Sequence, residues 1–302
     1  MDNKARLEVF DALRKAGIEI TPEQEEMIMK RFNDKLNYKP KVAIFGKTGA
    51  GKSSLVNALF GKEVVEVNDI ERCTIKVSKQ DLGGMYLYDC PGIGESEHAD
   101  AEYRKMYKEL LPEIDVILWV LKGDDRAFAV DLEFYQKIIA LCTTNKSDFP
   151  LYFVVNQVDK IEPFRKWDEE HHCPGNEQIP NIQHKVRYVS GVFDYPVNKV
   201  VAVSANEKYG LYELLNVITM NLPEDKVQPF IRNVEEIETF THEAEGMKEE
   251  IEKRGEIATQ KTFWQTVKEV AKEVGEELLE TAKKSVTKII TAISPFKIKF
   301  WK

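Results

Sequence analysis

The sequence predicts an α/β protein: a doubly wound, mostly parallel sheet with helices on both faces, extended at its N- and C-terminal ends by helices. Two observations predict this. From Lys41 onward, continuous apolar runs alternate with helical patterns, the runs being Val42 to Phe45, Met85 to Tyr88, Val116 to Leu121, Leu151 to Val155 and Val200 to Val203. Such runs suit strands buried on both faces, as strands are when helices cover both sides of a parallel sheet. Between the first run and the helix-like stretch Ser54 to Phe60 stands Gly46-Lys47-Thr48-Gly49-Ala50-Gly51-Lys52-Ser53, giving the order strand, glycine loop, helix.

Composition narrows the class. With 302 residues and 43% hydrophobic content, the chain can bury one large α/β domain and a smaller appendage. The expected division is residues 1–39 as a helical extension, 40–222 as the main domain and 223–302 as a helical C-terminal region. A net charge of −8 argues against nucleic acid as a partner of the whole surface, and leaves RNA or a ribosome open only through a local basic patch. Met1 to Lys15 mixes charged and apolar residues, and no apolar run reaches the length of a membrane span, so the expected location is the cytoplasm. The cysteines, Cys73, Cys90, Cys142 and Cys173, show no paired spacing, which speaks against a disulfide framework or a zinc ribbon.

Taken in order, the chain begins with Leu7, Phe10 and Leu13, then Met27, Ile28, Phe32 and Leu36, at helical steps. Thr21-Pro22-Glu23-Gln24 between them has the form of a capping box with proline at the first helical position. In the glycine loop that follows the first strand, backbone N–H groups from Gly46 through Lys47, Thr48, Gly49, Ala50, Gly51, Lys52, Ser53 and Ser54 are placed to surround a polyphosphate at a helix N-terminus. Lys52 would reach its outer phosphates and the Ser53 hydroxyl would ligate Mg²⁺. Asp89-Cys90-Pro91-Gly92 ends the second apolar run as DxxG, with Asp89 reaching Mg²⁺ through water and the Gly92 N–H meeting a terminal phosphate. Asn156-Gln157-Val158-Asp159 ends the fourth as NxxD. A carboxylate there accepts from both N1 and N2 of guanine, a donor pair that adenine lacks. Ser204-Ala205 ends the fifth, where a backbone N–H would meet the guanine O6.

With these strings in order at strand ends, residues 40–222 resemble the translation-factor-like P-loop GTPases of the Era and TrmE type, and within them the YfjP-like bacterial family. The resemblance implies a Ras-like fold, GTP/GDP as ligand and Mg²⁺ as cofactor. It makes Gly46 to Ser53, Asp89 to Gly92, Asn156 to Asp159 and Val203 to Ala205 the G1, G3, G4 and G5 elements. The G2 threonine that closes over Mg²⁺ and the γ-phosphate is assigned to Thr74, which lies 21 residues after Ser53. Lys52, Thr74 and Gly92 are then the catalytic set, and Ser53, Thr74 and Asp89 the metal set.

The sequence departs from the family pattern in ways that matter. Gln157 replaces the G4 lysine and cannot supply its charge to the loop, which predicts weaker nucleotide binding. Ile93 follows Gly92 where Ras-like enzymes carry a water-orienting Gln, so unaided hydrolysis is expected to be slow. A homodimer or an activating protein is the partner that hydrophobic-substituted relatives often need. Gly49 stands where potassium-activated relatives carry Asn, so no potassium stimulation is expected. Arg72 is read as a solvated loop arginine in preference to an internal arginine finger, and Glu95 is a lesser candidate for orienting water.

Of the remaining features, His171-His172-Cys173 reads as a polar loop, since adjacent ligands do not easily share one tetrahedral ion. The span 166–180 reads as a long connection open to a partner. Cys73 and Cys90 read as small neutral residues in preference to redox switches. Residues 235–256 carry nine Glu and read as a solvated helix or linker. An amphipathic stripe then runs from Trp264 to Ile293, and 281–302 holds six Lys and no acid beside Phe296, Phe300 and Trp301. The stripe from 262 to 302 either packs on the protein or lies on an anionic membrane at its inner face, and both readings stand. The function expected is a slow GTP-hydrolysing switch. The alternative is a nucleotide-gated membrane- or protein-interaction module built on the C-terminal helix.

Overall fold

The computed structural model describes residues 10, 11, 13, 14, 20–61, 78–90, 107–142 and 149–274. The chain divides into two compact units, residues 38–256 and residues 1–37 with 257–302.

The strands of the first unit are β1 (Lys41–Phe45), β2 (Ser78–Asp81), β3 (Tyr86–Asp89), β4 (Val116–Lys122), β5 (Leu151–Asn156), β6 (Trp167–Asp168), β7 (Cys173–Pro174) and β8 (Val200–Ala202). Six of them form the main sheet, in the order β2-β3-β1-β4-β5-β8, and β6 and β7 pair apart from it. β1 pairs in parallel with β3 and β4, β4 with β5, and β5 with β8, while β2 is the antiparallel edge. The predicted α/β class and mostly parallel sheet are therefore what the chain forms. The sequence gives no sign of β2: Ser-Lys-Gln-Asp has no apolar run to announce it, and its pairing with β3 alone defines it.

Period-two alternation explains the continuous apolar runs. Ala43, Phe45, Ile117, Trp119, Leu121, Phe153 and Val155 bury on one face, and Val42, Ile44, Val116, Leu118, Val120, Tyr152 and Val154 on the other. The α-helices whose bounds are described are α1 (Pro22–Leu36), α2 (Lys52–Phe60), α3 (Ala129–Cys142), α4 (Ile179–Phe193), α5 (Leu211–Asn221), α6 (Glu224–Ile231) and α7 (His242–Val274). The first sheet face is covered by α3 and α4, with the Phe153 and Phe193 ring centroids 4.4 Å apart. The second is covered by α2 and α5, through Leu55, Leu59, Leu214 and Ile218. At the end of the sheet where β1 starts, the buried Asp115 carboxylate accepts from the Lys41 N–H at 2.8 Å and the Tyr38 hydroxyl at 2.9 Å, and pairs with Lys226 at 2.5 Å. From central β1 the chain goes to β3 on one side and to β4 on the other, so β1 stands at the switch point where open α/β sheets bind ligands.

This unit runs to Glu256 rather than ending at 222. Phe230 of α6, Ile237, and Ile251 of α7 bury in the same core as α2 and α5. The acid-rich stretch 235–256 is thus solvated on one side and packed on the other.

In the second unit, α1 starts with the predicted capping box: Thr21 accepts from the Gln24 N–H, and the Gln24 side chain accepts from the Thr21 N–H. Phe10, Leu13, Ile28, Phe32 and Leu36 bury against Phe263, Trp264, Val267 and Val270, with Phe263 edge-on to both Phe10 and Phe32. Arg31 makes a bidentate pair with Glu273 (2.6 and 2.7 Å), and Lys35 one with Glu269 (2.7 and 3.0 Å). The front of the amphipathic stripe therefore packs on the protein, and residues 275–302 lie outside the described ones. Among the described residues no helix is long and apolar enough to cross a membrane.

Phe230 tests whether α6 belongs to the fold of the sheet unit. It is 1% exposed and sits edge-on to Phe60 at 6.1 Å, so Phe230→Ala should destabilise this unit by about 3–5 kcal/mol, measured by urea unfolding.

Candidate functional site

The loop Gly46 to Gly51 leaves β1 and enters α2. Its shape needs glycine at two positions in particular. Gly46 has φ 142°, and a Cβ there would lie 2.4 Å from the Val120 carbonyl oxygen; Gly51 has φ 88°, and its Cβ would lie 2.3 Å from Asn156 Nδ2. No side chain caps α2, so its first N–H groups are left for an anion beside the positive end of the helix. Lys52, in the first turn, donates from Nζ to the Gly46 carbonyl at 3.0 Å and so lies along the loop. Lys47 turns elsewhere: its Nζ pairs with the buried Asp131 at 2.6 Å and donates to the Ala127 carbonyl at 3.2 Å. Burial holds the Asp131 carboxyl above the usual carboxylate range, with Lys47 opposing that shift. Of Lys47, then, only the backbone serves the loop. The Ala50 N–H closes a turn on the Lys47 carbonyl, while Thr48, Gly49 and Ser54 are open to solvent and Ser53 is half-buried.

Asp89 is the last residue of β3. Its Oδ1 is buried with no hydrogen-bond partner, and burial raises its pKa against the opposing Lys52 ammonium. An unsatisfied buried carboxylate oxygen near a phosphate-loop lysine suits a hydrated divalent cation. Among the described residues no group of three or more His, Cys, Asp or Glu could hold a metal. Mg²⁺ does not require one, since it keeps several waters and takes one or two protein oxygens beside phosphate; Ser53 and Asp89 fit that role. Cys90 next door is buried, and burial pushes its thiol well up, which makes it a core residue. Thr74, Gly92, Arg72, Cys73, Ile93 and Glu95 lie outside the described residues.

At the far end of the site, β5 finishes on Asn156, which is 1% exposed. Its Nδ2 donates to the carbonyls of Ala50 (2.9 Å) and Gly51 (3.4 Å), and its Oδ1 accepts from the Ala205 N–H at 3.1 Å. Asn156 is therefore a brace joining the glycine loop to the β8 loop. Gln157, left-handed at φ 61°, donates from Nε2 to the Gly49 carbonyl at 2.9 Å and accepts from Lys160 Nζ at 2.8 Å. Asp159 Oδ1 accepts from the Ser204 hydroxyl at 2.6 Å, which fixes the carboxylate.

The N–H groups of Ser204 and Ala205 are taken by the Tyr209 carbonyl and by Asn156, so the donor expected to meet a base oxygen is already engaged. The span 166–180, read as a long connection open to a partner, holds the β6–β7 hairpin before α4. His171 pairs with Asp168, while His172 pairs with Glu207 and stacks on Phe240, so the two histidines point to separate partners.

Gln178 escapes a reading of the sequence. It is fully buried, and its Nε2 faces the carbonyls of Ile161 (2.8 Å), Asp159 (3.2 Å) and Val158 (3.5 Å), pinning the turn that carries Asp159. Only the chain's return through the hairpin brings it there, and nothing in the local sequence marks it.

Residues 41–157 match the family described as 50S ribosome-binding GTPase. Over 210 residues the chain is 38% identical to YfjP of Escherichia coli (strain K12), covering 68% of this chain and 70% of YfjP. It is 37% identical to YkfA of the same organism, again over 210 residues and the same shares of each chain. It is also similar to the crystal structure of a point variant of Aquifex aeolicus Era bound to GDP·AlF4⁻, at 26% identity over 61% of this chain and 56% of that one, with a TM-score of 0.41, too loose a match to place any residue.

Replacing Gln178 by Ala should leave the carbonyls of Val158, Asp159 and Ile161 without their shared donor, costing about 1–3 kcal/mol. Gln178→Glu should cost more, because an acceptor then faces acceptors. Thermal unfolding measures the cost, and hydrogen exchange at residues 158–161 shows whether it is local.

Proposed function

The chain belongs to the YfjP-like family of P-loop GTPases, and from that premise we propose that it is a guanine-nucleotide switch that binds Mg²⁺·GTP and hydrolyses it slowly. The observation that carries this reading is the Asn156 brace. It ties the glycine loop at Ala50 and Gly51 to the loop that positions Asp159, which would hold a phosphate end and a base end at a fixed separation.

In this reading Lys52 would exchange the Gly46 carbonyl for phosphate oxygens, and the Ser53 hydroxyl and Asp89 would hold the metal and its water. Asp159, kept in place by Ser204, accepts from N1 and N2 of guanine. Mg²⁺ would neutralise charge on the phosphates. Thr74 and Gly92 would contact the γ-phosphate in the GTP state and lose that contact in the GDP state, which is the differential contact a switch requires. Slow turnover follows from Ile93, which offers no hydrogen bond to water. The protein works in the cytoplasm. A lipid-binding role, the alternative, would fall on residues 275–302, because Phe263, Trp264, Val267 and Val270 are already buried.

GTP should displace labelled GDP from the protein while ATP does not; equal competition would refute the guanine assignment. Lys52→Ala should weaken nucleotide binding roughly 10- to 100-fold, the effect of losing a charge-assisted hydrogen bond. GTP turnover that rises with protein concentration would identify a homodimer as activator, and turnover that rises with anionic vesicles would favour the lipid-binding alternative.

A further inference from the structure

The cation that Gln157 lacks is present one turn away. Val158 to Lys160 forms a 3₁₀ turn, with the Lys160 N–H bonded to the Gln157 carbonyl at 3.1 Å. Side chains three residues apart eclipse in such a turn, which stacks Lys160 over Gln157. The Lys160 ammonium donates to Gln157 Oε1 at 2.8 Å, and Gln157 Nε2 donates to the Gly49 carbonyl at 2.9 Å. The two neighbours leave the amide only one orientation, because an ammonium can only donate and a carbonyl can only accept. Gln157 is thereby locked, its plane fixed and its N–H polarised by a positive charge on its other end. Lys160 is itself exposed, and among the described residues it forms no ion pair within 4 Å.

We propose that Lys160, acting through Gln157, is a positioning residue for guanine nucleotide: it orients the Gln157 amide against the phosphate-binding loop and returns to that loop the positive charge that a lysine at 157 would have carried. Two side chains share the work of one. Gln157 supplies the contact to Gly49, and Lys160 supplies the field that favours a polyphosphate. The weaker binding expected from Gln157 alone is in this way partly offset. The inference rests on the guanine-nucleotide reading above.

The test is a double-mutant cycle on the full chain, with fluorescent GDP and Mg²⁺ as the probe. Lys160→Ala should weaken binding about three- to tenfold at low ionic strength, and the loss should shrink as salt screens the charge. Lys160→Arg, which keeps both charge and donor, should stay close to the natural protein. With Gln157→Lys already in place, Lys160→Ala should cost nothing or improve binding, because two ammonium groups would otherwise repel each other. Unchanged thermal melting of the Lys160 variants would exclude a merely structural effect, whereas a melting shift that accounts for the loss would overturn the proposal. Binding that is equal with and without Lys160, or lost equally in both backgrounds, would also overturn it. If the natural protein itself binds no GDP, the guanine-nucleotide reading fails first and this inference with it.

Discussion

The described site depends on one carboxamide. Asn156 is buried at the end of β5, and every polar atom of its side chain meets backbone: two carbonyls of the glycine loop on one side and the Ala205 N–H on the other. A buried amide is tolerable only when it is satisfied in this way, and once satisfied it sets the distance between the segments it joins. Gly51 is part of the same constraint, since any side chain there would occupy the space of Asn156 Nδ2. The parallel core strands fix where β1, β5 and β8 end; the carboxamide fixes how the loops beyond those ends meet.

Around that brace, charged side chains divide into those that serve the loop and those that hold it. Lys52 lies along the loop, and its charge opposes the burial shift of Asp89, whose buried Oδ1 has no hydrogen-bond partner. Lys47, in the same string of glycines and lysines, is instead drawn out of the loop by the buried Asp131. An ion pair of this kind is costly to break from one side, because it strands a charge in a low-dielectric setting. It therefore stiffens the loop from behind while Lys52 stays available in front. Gln157 and Lys160 add a second polar strap, from the loop after β5 to Gly49.

Much of this was legible in residue order alone. The apolar runs announced the buried parallel strands, the capping box announced α1, and the strings at the strand ends announced which loops converge. The same reading missed β2, whose Ser-Lys-Gln-Asp sequence carries no apolar signal, and Gln178, whose acceptors lie 17 to 20 residues away. It also ended the sheet unit too early, because the glutamates of 235–256 mask the few apolar residues, Ile237 and Ile251 among them, that bury against the core.

What the sequence determined by itself was the set of local conformations and the chemistry at each strand end, since periodicity, glycine placement and residue type act over a few neighbouring residues. What only the tertiary structure decided was which of those groups are already engaged. Asn156 became a brace, the Ala205 N–H became its partner, Lys47 left the loop for Asp131, and Lys160 came to stand over Gln157. Hydrogen bonds and ion pairs act over about 3 Å of space whatever the distance along the chain, so a donor's partner is settled only when the fold has brought the two together.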